Sequence, residues 1–310
     1  MSVVPRHDVP ADGRSGFVMV DGRQVHYLEW GHGALPPVLC LHGGGQTAYM
    51  YEDLGSALAG RVHLLAPDLP GHGDSDVAVT EGGSESGIGR ISMPSVISST
   101  VPPLLDTFGM DRVVVVGASL GGMTSIALAD QHPERVEGIV LVDVGHKLER
   151  EGVRRIVDFM TAHESFASIH DAATAISEYL PQRKAVRPES LTRNLRQRAD
   201  GRWEWKHGVG RRMRDERAEG VERPHPADDL EHLLGGMEEA AGRLRCPVLV
   251  LRGEQSDVLS DDGADELVRL LDDAELAIVE KAGHLAAGDN PRSTIALVLG
   301  FLDRLGWIAP

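Results

Sequence analysis

Cysteine is scarce: Cys40 and Cys246 are the only two in 310 residues. Each lies beside an apolar run, where a thiol is ordinarily a small buried hydrophobe, and two isolated cysteines make neither a disulfide framework nor a metal site. Aromatic residues are few, 4% of the chain, so a core must be built from Val, Leu, Ile and Ala. No apolar run reaches the ~18 residues of a membrane span. The segment Met1 to Gly16 is polar and has no apolar stretch of secretory type, so a cytoplasmic protein with no membrane partner is expected. Positive charge is in deficit: 31 Lys and Arg against 47 Asp and Glu give a net charge of −16. A surface of that sign repels phosphate backbones and sets nucleic acid aside as a partner.

What is present is enough for a large folded domain. Hydrophobic residues are 42% and charged residues 25%, a balance that is neither disordered nor membrane-embedded. The length suits one domain carrying an inserted subdomain. Short apolar runs at Gln24–Trp30, Val38–Leu41, Val62–Ala66, Arg112–Val116 and Gly138–Val142 read as strands. Helical patterns at Tyr51–Ala59, Ser95–Phe108 and Leu120–Gln131 alternate with them. Nearly continuous Val, Leu and Ile marks strands buried on both faces, hence a mostly parallel sheet flanked by helices in an α/β fold.

The pattern changes after Val144. From His146 to Glu239 there is no convincing strand, only helical stretches at Gly152–Ala162, Asp171–Leu180 and Glu189–Ala199. Alternation resumes with a strand at Pro247–Leu251, a helix at Asp261–Leu271, a strand at Glu275–Val279 and a closing helix at Pro291–Leu305. Residues 1–145 and 240–310 are therefore read as the core, and 146–239 as an inserted helical cap, or lid. Glu81–Gly89 is Gly/Ser-rich and reads as a loop.

Gly117-Ala118-Ser119-Leu120-Gly121 fits G-x-S-x-G between a strand and a helix. A sharp turn there exposes the hydroxyl of Ser119, and small residues two before and two after let strand and helix close up. Ser119 is thus the candidate nucleophile. Acyl transfer needs two preorganised N–H donors for its oxyanion. Leu120 would supply one and the glycine loop His42-Gly43-Gly44-Gly45 the other, through Gly44.

Fourteen histidines make histidine identity alone uninformative. His284 follows the last strand, on the rim of the sheet that carries Ser119, where ligands of open α/β sheets bind. It is the candidate base. His42 is read as shaping the glycine loop and His72 as part of a turn. For the acid, Asp257 is favoured over Asp143 because the acid commonly lies one strand before the histidine; Glu254 is a third candidate.

His42–Gly45, Asp68-Leu69-Pro70-Gly71-His72-Gly73-Asp74-Ser75, Gly117–Gly122, Arg252-Gly253-Glu254 and Gly283-His284 together resemble the α/β-hydrolase superfamily, over about Val18 to Leu305 excluding the insert. The resemblance implies an eight-stranded sheet, a helical cap after the sixth strand, and a Ser-His-Asp triad without metal or organic cofactor. It makes Asp68–Ser75 a structural turn. Relatives that cut carbon–halogen bonds or epoxides carry Asp where this chain has Ser119. Ring-cleavage carbon–carbon hydrolases often carry Met and Trp where this chain has Leu120 and Leu285.

The expected function is hydrolysis of a small or medium hydrophobic ester or lactone through an acyl-enzyme. A carbon–carbon hydrolase or lyase on the same triad, and a ligand-binding receptor, are the alternatives. The expected pocket takes Gly43, Leu285, Trp203 and Trp205, although the two tryptophans are read first as packing the insert's own core. Arg211, Arg212 and Arg214 are read as pairing with the insert's acids on a solvated face.

Overall fold

The apolar runs of the sequence become strands of one sheet. The computed structural model describes residues 10–77, 93–181, 186–208, 218, 220 and 225–308. The strands are β1 (Arg14–Val20), β2 (Arg23–Trp30), β3 (Pro37–Leu41), β4 (His63–Pro67), β5 (Val113–Ala118), β6 (Val136–Val142), β9 (Val248–Gly253) and β10 (Ala274–Val279), in the spatial order 1-2-4-3-5-6-9-10. The β1–β2 and β2–β4 pairs are antiparallel and every other pair is parallel. β1 lies ahead of the first strand that the apolar runs mark. It is the outer strand of a hairpin closed at Asp21-Gly22, whose φ angles of 49° and 75° suit the two-residue turn that matches strand twist.

Both faces of the central strands are covered. Leu39, Leu41, Val113, Val115, Ile139, Leu141, Val248 and Val250 join one apolar layer. Their neighbours Val38, Cys40, Val114, Val116, Val140, Val142, Leu249 and Leu251 join the other. The period of two sends alternate residues to opposite faces, and both sets are buried, so the runs read as continuous. The helices α1 (Glu52–Leu58), α2 (Met93–Ser98), α3 (Val101–Thr107) and α4 (Leu120–Gln131) follow in the first half. Ile97, Leu104, Met123 and Ile126 from α2, α3 and α4 enter the first layer; Leu54 and Leu58 of α1 enter the second.

Between β6 and β9 lie α5 (Arg150–Ala162), α6 (Ile169–Tyr179), α7 (Leu230–Leu233) and α8 (Met237–Gly242). Here the structure departs from expectation. Glu189–Ala199 is not a helix: a 3-10 turn at Pro188–Arg193 leads into β7 (Leu195–Gln197), which pairs antiparallel with β8 (Trp203–Trp205). Asp200-Gly201 closes this hairpin, with Gly201 at φ 83° and the Arg198 N–H donating to Arg202 O at 2.8 Å. That Asp-Gly pair was the available signal. Arg211, Arg212, Arg214 and Glu81–Gly89 lie outside the described residues.

The insert is fastened to the core at several points. Arg155 pairs with Asp257 at 2.7 Å, Lys206 with Asp74 at 2.7 Å, and Arg193 with Glu52. The Gly208 N–H donates to Gly71 O at 3.1 Å. An ion pair as exposed as Arg155–Asp257 contributes at most about 1 kcal/mol. The tighter constraint is Gly152, where a Cβ would lie 2.1 Å from Asp257 O, so α5 rests directly on backbone. After β9 the chain adds α9 (Asp261–Leu270), α10 (Ala286–Asp289) and α11 (Pro291–Arg304). Among the described residues no helix is long and apolar enough to cross a membrane.

Candidate active site

The site begins with the backbone of Ser119. It stands between β5 and α4 at φ 48°, ψ −115°, a region non-glycine residues rarely occupy and which costs about 1–3 kcal/mol. The neighbouring glycines make this turn possible. A Cβ on Gly121 would lie 2.0 Å from Leu41 O, and one on Gly117 2.5 Å from Gly121 O. No side chain fits at either place, so the glycines of the motif are sterically required. Ser119 is partly exposed, at the point where β5 passes into α4. Tyr51, not singled out in the sequence, holds this point from below. Its hydroxyl lies 2.8 Å from Leu41 O and 3.0 Å from Val116 O, bridging the ends of β3 and β5.

The structure sets Asp143 rather than the favoured Asp257 against His284. Asp143, the less favoured candidate, directly follows β6, adjacent to β5; Ala118 pairs with Val142, and the Ser119 N–H donates to Val142 O at 3.1 Å. Neighbouring strands are about 4.8 Å apart, so Ser119 and Asp143 emerge side by side. His284 Nδ1 donates to Asp143 Oδ2 at 2.8 Å, and the Asp143 side chain is completely buried. Asp257 is not at the imidazole. Its carboxylate is partly exposed and turned toward Arg155 of the insert. Glu254 accepts the Lys281 N–H at 2.7 Å, a loop contact.

With Nδ1–H committed to Asp143, the lone pair of neutral His284 is on Nε2. The hydrogen bond from Ser119 to that nitrogen is not formed here. Catalytic hydrogen bonds are often long in unliganded enzymes and tighten on substrate binding.

The glycine loop adjoins Ser119: a Cβ on Gly43 would come 3.4 Å from Ser119 Cβ. The Gly43 N–H is already taken by Gln46 Oε1 at 3.0 Å, which leaves the Gly44 N–H as the next donor along the loop. His42 is buried beneath it. Nδ1–H donates to Gly43 O at 2.8 Å, and Nε2 accepts the Leu69 N–H at 2.9 Å. Burial holds its pKa below the ordinary value, against the pull of Asp68, so it is neutral with both nitrogens occupied. Nothing is left for proton transfer.

Asp68 anchors the turn beyond. It accepts from His26 Nδ1 at 2.7 Å, the Ala48 N–H at 2.7 Å and the Asp74 N–H at 3.0 Å. Burial would raise its pKa, but the hydrogen bond and charge of His26 outweigh this and hold it low. His26, Asp68 and Asp74 come within 4.8 Å of one another, yet each is already committed, Asp74 to Lys206.

The insert reaches the glycine loop through Met160 and His207. A Cβ on Gly45 would meet Met160 Sδ at 2.8 Å and His207 Nε2 at 3.5 Å. Trp203 and Trp205 lie in the insert's own apolar cluster with Phe166, Leu191 and Leu195. Trp205 also stacks on His207, with ring centroids 5.6 Å apart. Leu285 immediately precedes α10 and is partly buried beside His284.

His72 and His207 lie 6.3 Å apart between centroids and are both buried. Burial pushes His72 down to about 3, and sharing the site with the His42 and His207 imidazoles further disfavours adding a proton there; burial, then the nearby His42 imidazole, pushes His207 down to about 4. An unfolded histidine titrates near ~6.5. Between that pH and the folded values the unfolded chain binds more protons, so stability falls as pH falls. For His207 alone the loss over the window amounts to about 3 kcal/mol. Urea unfolding at pH 7.5, 6 and 5 should show the decline, and His207→Phe should flatten it by about one proton. An unchanged slope would mean that His207 is not held neutral.

The family model described as the alpha/beta hydrolase fold matches residues 36–291. The chain therefore belongs to the α/β-hydrolase fold family. It is 32% identical over 293 residues to Esterase Rv0045c of Mycobacterium tuberculosis, covering 92% of this chain and 88% of that one. A crystal structure of that esterase matches with a TM-score of 0.69 at 29% identity, over 94% of this chain and 91% of the other. It is 29% identical over 297 residues to the 3-hydroxybutyrate-oligomer hydrolase of Cupriavidus necator, covering 91% and 95%. It is 25% identical over 289 residues to the 2-hydroxy-6-oxo-6-phenylhexa-2,4-dienoate hydrolase of Comamonas testosteroni, covering 90% and 91%. These matches support a hydrolase on this scaffold.

Proposed function

We propose that the chain is a serine hydrolase that cleaves a carboxylic ester or lactone of a small to medium hydrophobic substrate, with Ser119, His284 and Asp143 as its triad. The observation that carries the reading is a strained, partly exposed serine beside a buried Asp143–His284 pair on one rim of the sheet. Ser119 Oγ attacks the carbonyl while His284 Nε2 takes its proton. Asp143 holds the imidazolium in place. The oxyanion is met by the N–H groups of Leu120 and Gly44. His284 then protonates the leaving alcohol, and water releases the acid by the reverse sequence. The insert acts as a cap over this rim, with Met160 and His207 against the glycine loop. The esterase and the oligomer hydrolase among the relatives favour ester chemistry.

The test is hydrolysis of p-nitrophenyl esters from acetate to decanoate and of several lactones, joined to labelling by a fluorophosphonate and mass mapping of the adduct. Turnover with the label on Ser119 is expected, and chain-length or ring preference sizes the pocket. A folded protein that neither turns over nor labels would remove the reading. The dienoate hydrolase relative makes carbon–carbon cleavage the second reading. It predicts turnover of vinylogous diketones in preference to esters.

A further inference from the structure

The geometry points to Ser256 as a positioning residue: its hydroxyl holds the Asp143 carboxylate in the orientation that keeps His284 correctly protonated. This rests on the serine-hydrolase reading and extends it to a residue outside the triad. Ser256 Oγ lies 2.5 Å from Asp143 Oδ2, the same oxygen that receives His284 Nδ1–H at 2.8 Å. The direction of the proton follows from counting. A hydroxyl has one hydrogen to donate and two lone pairs. The N–H groups of Val258 and Leu259 approach Ser256 Oγ at 3.1 and 3.2 Å. Both can only donate, so they occupy the lone pairs. The remaining hydrogen has one acceptor, Asp143. On the other oxygen, Asp143 Oδ1 receives the Gly253 N–H at 2.8 Å.

Three donors thus meet a carboxylate with no solvent exposure, and only one of them is the imidazole. Without the hydroxyl, Oδ2 would be held by His284 alone, and the carboxyl plane would be free to swing about the Gly253 contact. The loop carrying Ser256 is itself held from the far side. α5 rests on Asp257 O through Gly152, and Arg155 grips the Asp257 carboxylate. The close backbone contact at Gly152 carries this support, and the partly exposed Arg155–Asp257 pair adds little to it.

Other charged groups near His284 in the chain have contacts of their own. Asp289 Oδ2 accepts the Gly283 N–H at 3.0 Å, and Glu254 accepts the Lys281 N–H. The Arg155–Asp257 pair sits behind Ser256. None of them touches Ser256 Oγ, whose partners are Asp143 and the Val258 and Leu259 N–H groups, so a shift in the pH profile reports on Asp143 and His284.

The experiment compares Ser256→Ala and Ser256→Thr with the parent protein on the best ester found. Ser256→Ala should lower kcat about tenfold with KM nearly unchanged. Its acid limb in kcat/KM should move to higher pH, because a carboxylate that has lost a donor binds the imidazolium more strongly. Ser256→Thr keeps the hydroxyl and should retain both properties. If the alanine variant is unstable, Ser256→Cys keeps the position filled with a weaker donor and should show the same limb shift. Parent-like kcat and acid limb in the alanine variant would overturn the proposal. So would an equal loss in Ala and Thr with an unmoved limb, which marks loop packing alone. Turnover surviving in Ser119→Ala would instead remove the hydrolase reading on which all of this stands.

Discussion

Ser119→Ala should lower kcat for ester hydrolysis by about 10⁶-fold, the scale seen when a triad nucleophile is removed from subtilisin. The reasoning is local. The substitution deletes one oxygen from a partly exposed side chain and leaves the Cβ in place. The turn at φ 48° is set by Gly117 and Gly121 against backbone, and alanine tolerates it about as well as serine. Folding should change by less than about 0.5 kcal/mol, as expected of a substitution that removes no buried contact. Substrate binding and the N–H groups of Leu120 and Gly44 remain, and such remnants still give about 10³–10⁴ over water in other triad enzymes. The variant should therefore bind substrate like the parent, lose the fluorophosphonate adduct, and show no burst of alcohol in single-turnover work. More than about one part in a hundred of parental kcat would sink Ser119 as nucleophile, since no partial mechanism on this scale reaches so high.

The sequence showed the sheet well where burial on two faces leaves continuous Val, Leu and Ile, and poorly where it does not. β1 was missed because it is an edge strand: Phe17 and Met19 are exposed, and its run Arg14–Val20 mixes polar and glycine residues. β7 falls inside the helical reading of Glu189–Ala199 because charged residues dominate Arg196–Arg202, and β8, at Trp203–Trp205, is too short to stand out as a strand. Ser119 is legible as a candidate because its motif is fixed by steric needs close to it in the chain, and His284 because it follows the last strand of the sheet. The glycines around Ser119 pack against Leu41 O and Gly117's own turn, a local necessity that leaves a local pattern. Asp143 was harder to rank. Its partners Gly253, Ser256 and His284 are 110, 113 and 141 residues away, and nothing beside it in the chain records them. His207 and Ser256 went unnoticed for the same reason.

That difference makes the acid the second large test. Asp143→Asn should cost about 10⁴ in kcat, the loss found when the aspartate of a Ser-His-Asp triad becomes asparagine and the imidazole takes the wrong tautomer. The surroundings of Asp143 predict the same failure here. Its Oδ1 receives the Gly253 N–H and must stay an oxygen. The new NH₂ then falls at the Oδ2 place, facing the Ser256 hydroxyl and His284 Nδ1. Donor would meet donor. His284 escapes by moving its proton to Nε2 and accepting at Nδ1, which leaves no lone pair toward Ser119. KM should change little, because the carboxylate does not touch substrate. Asp257→Asn makes the control. Asp257 pairs with Arg155 at a partly exposed site, where a salt bridge contributes about 0–1 kcal/mol, and kcat should stay within about twofold of the parent. Parallel kcat measurements on the two variants decide the matter. A large loss in Asp257→Asn with Asp143→Asn near parental activity would return the acid to the loop after β9 and require that loop to refold around His284 during turnover.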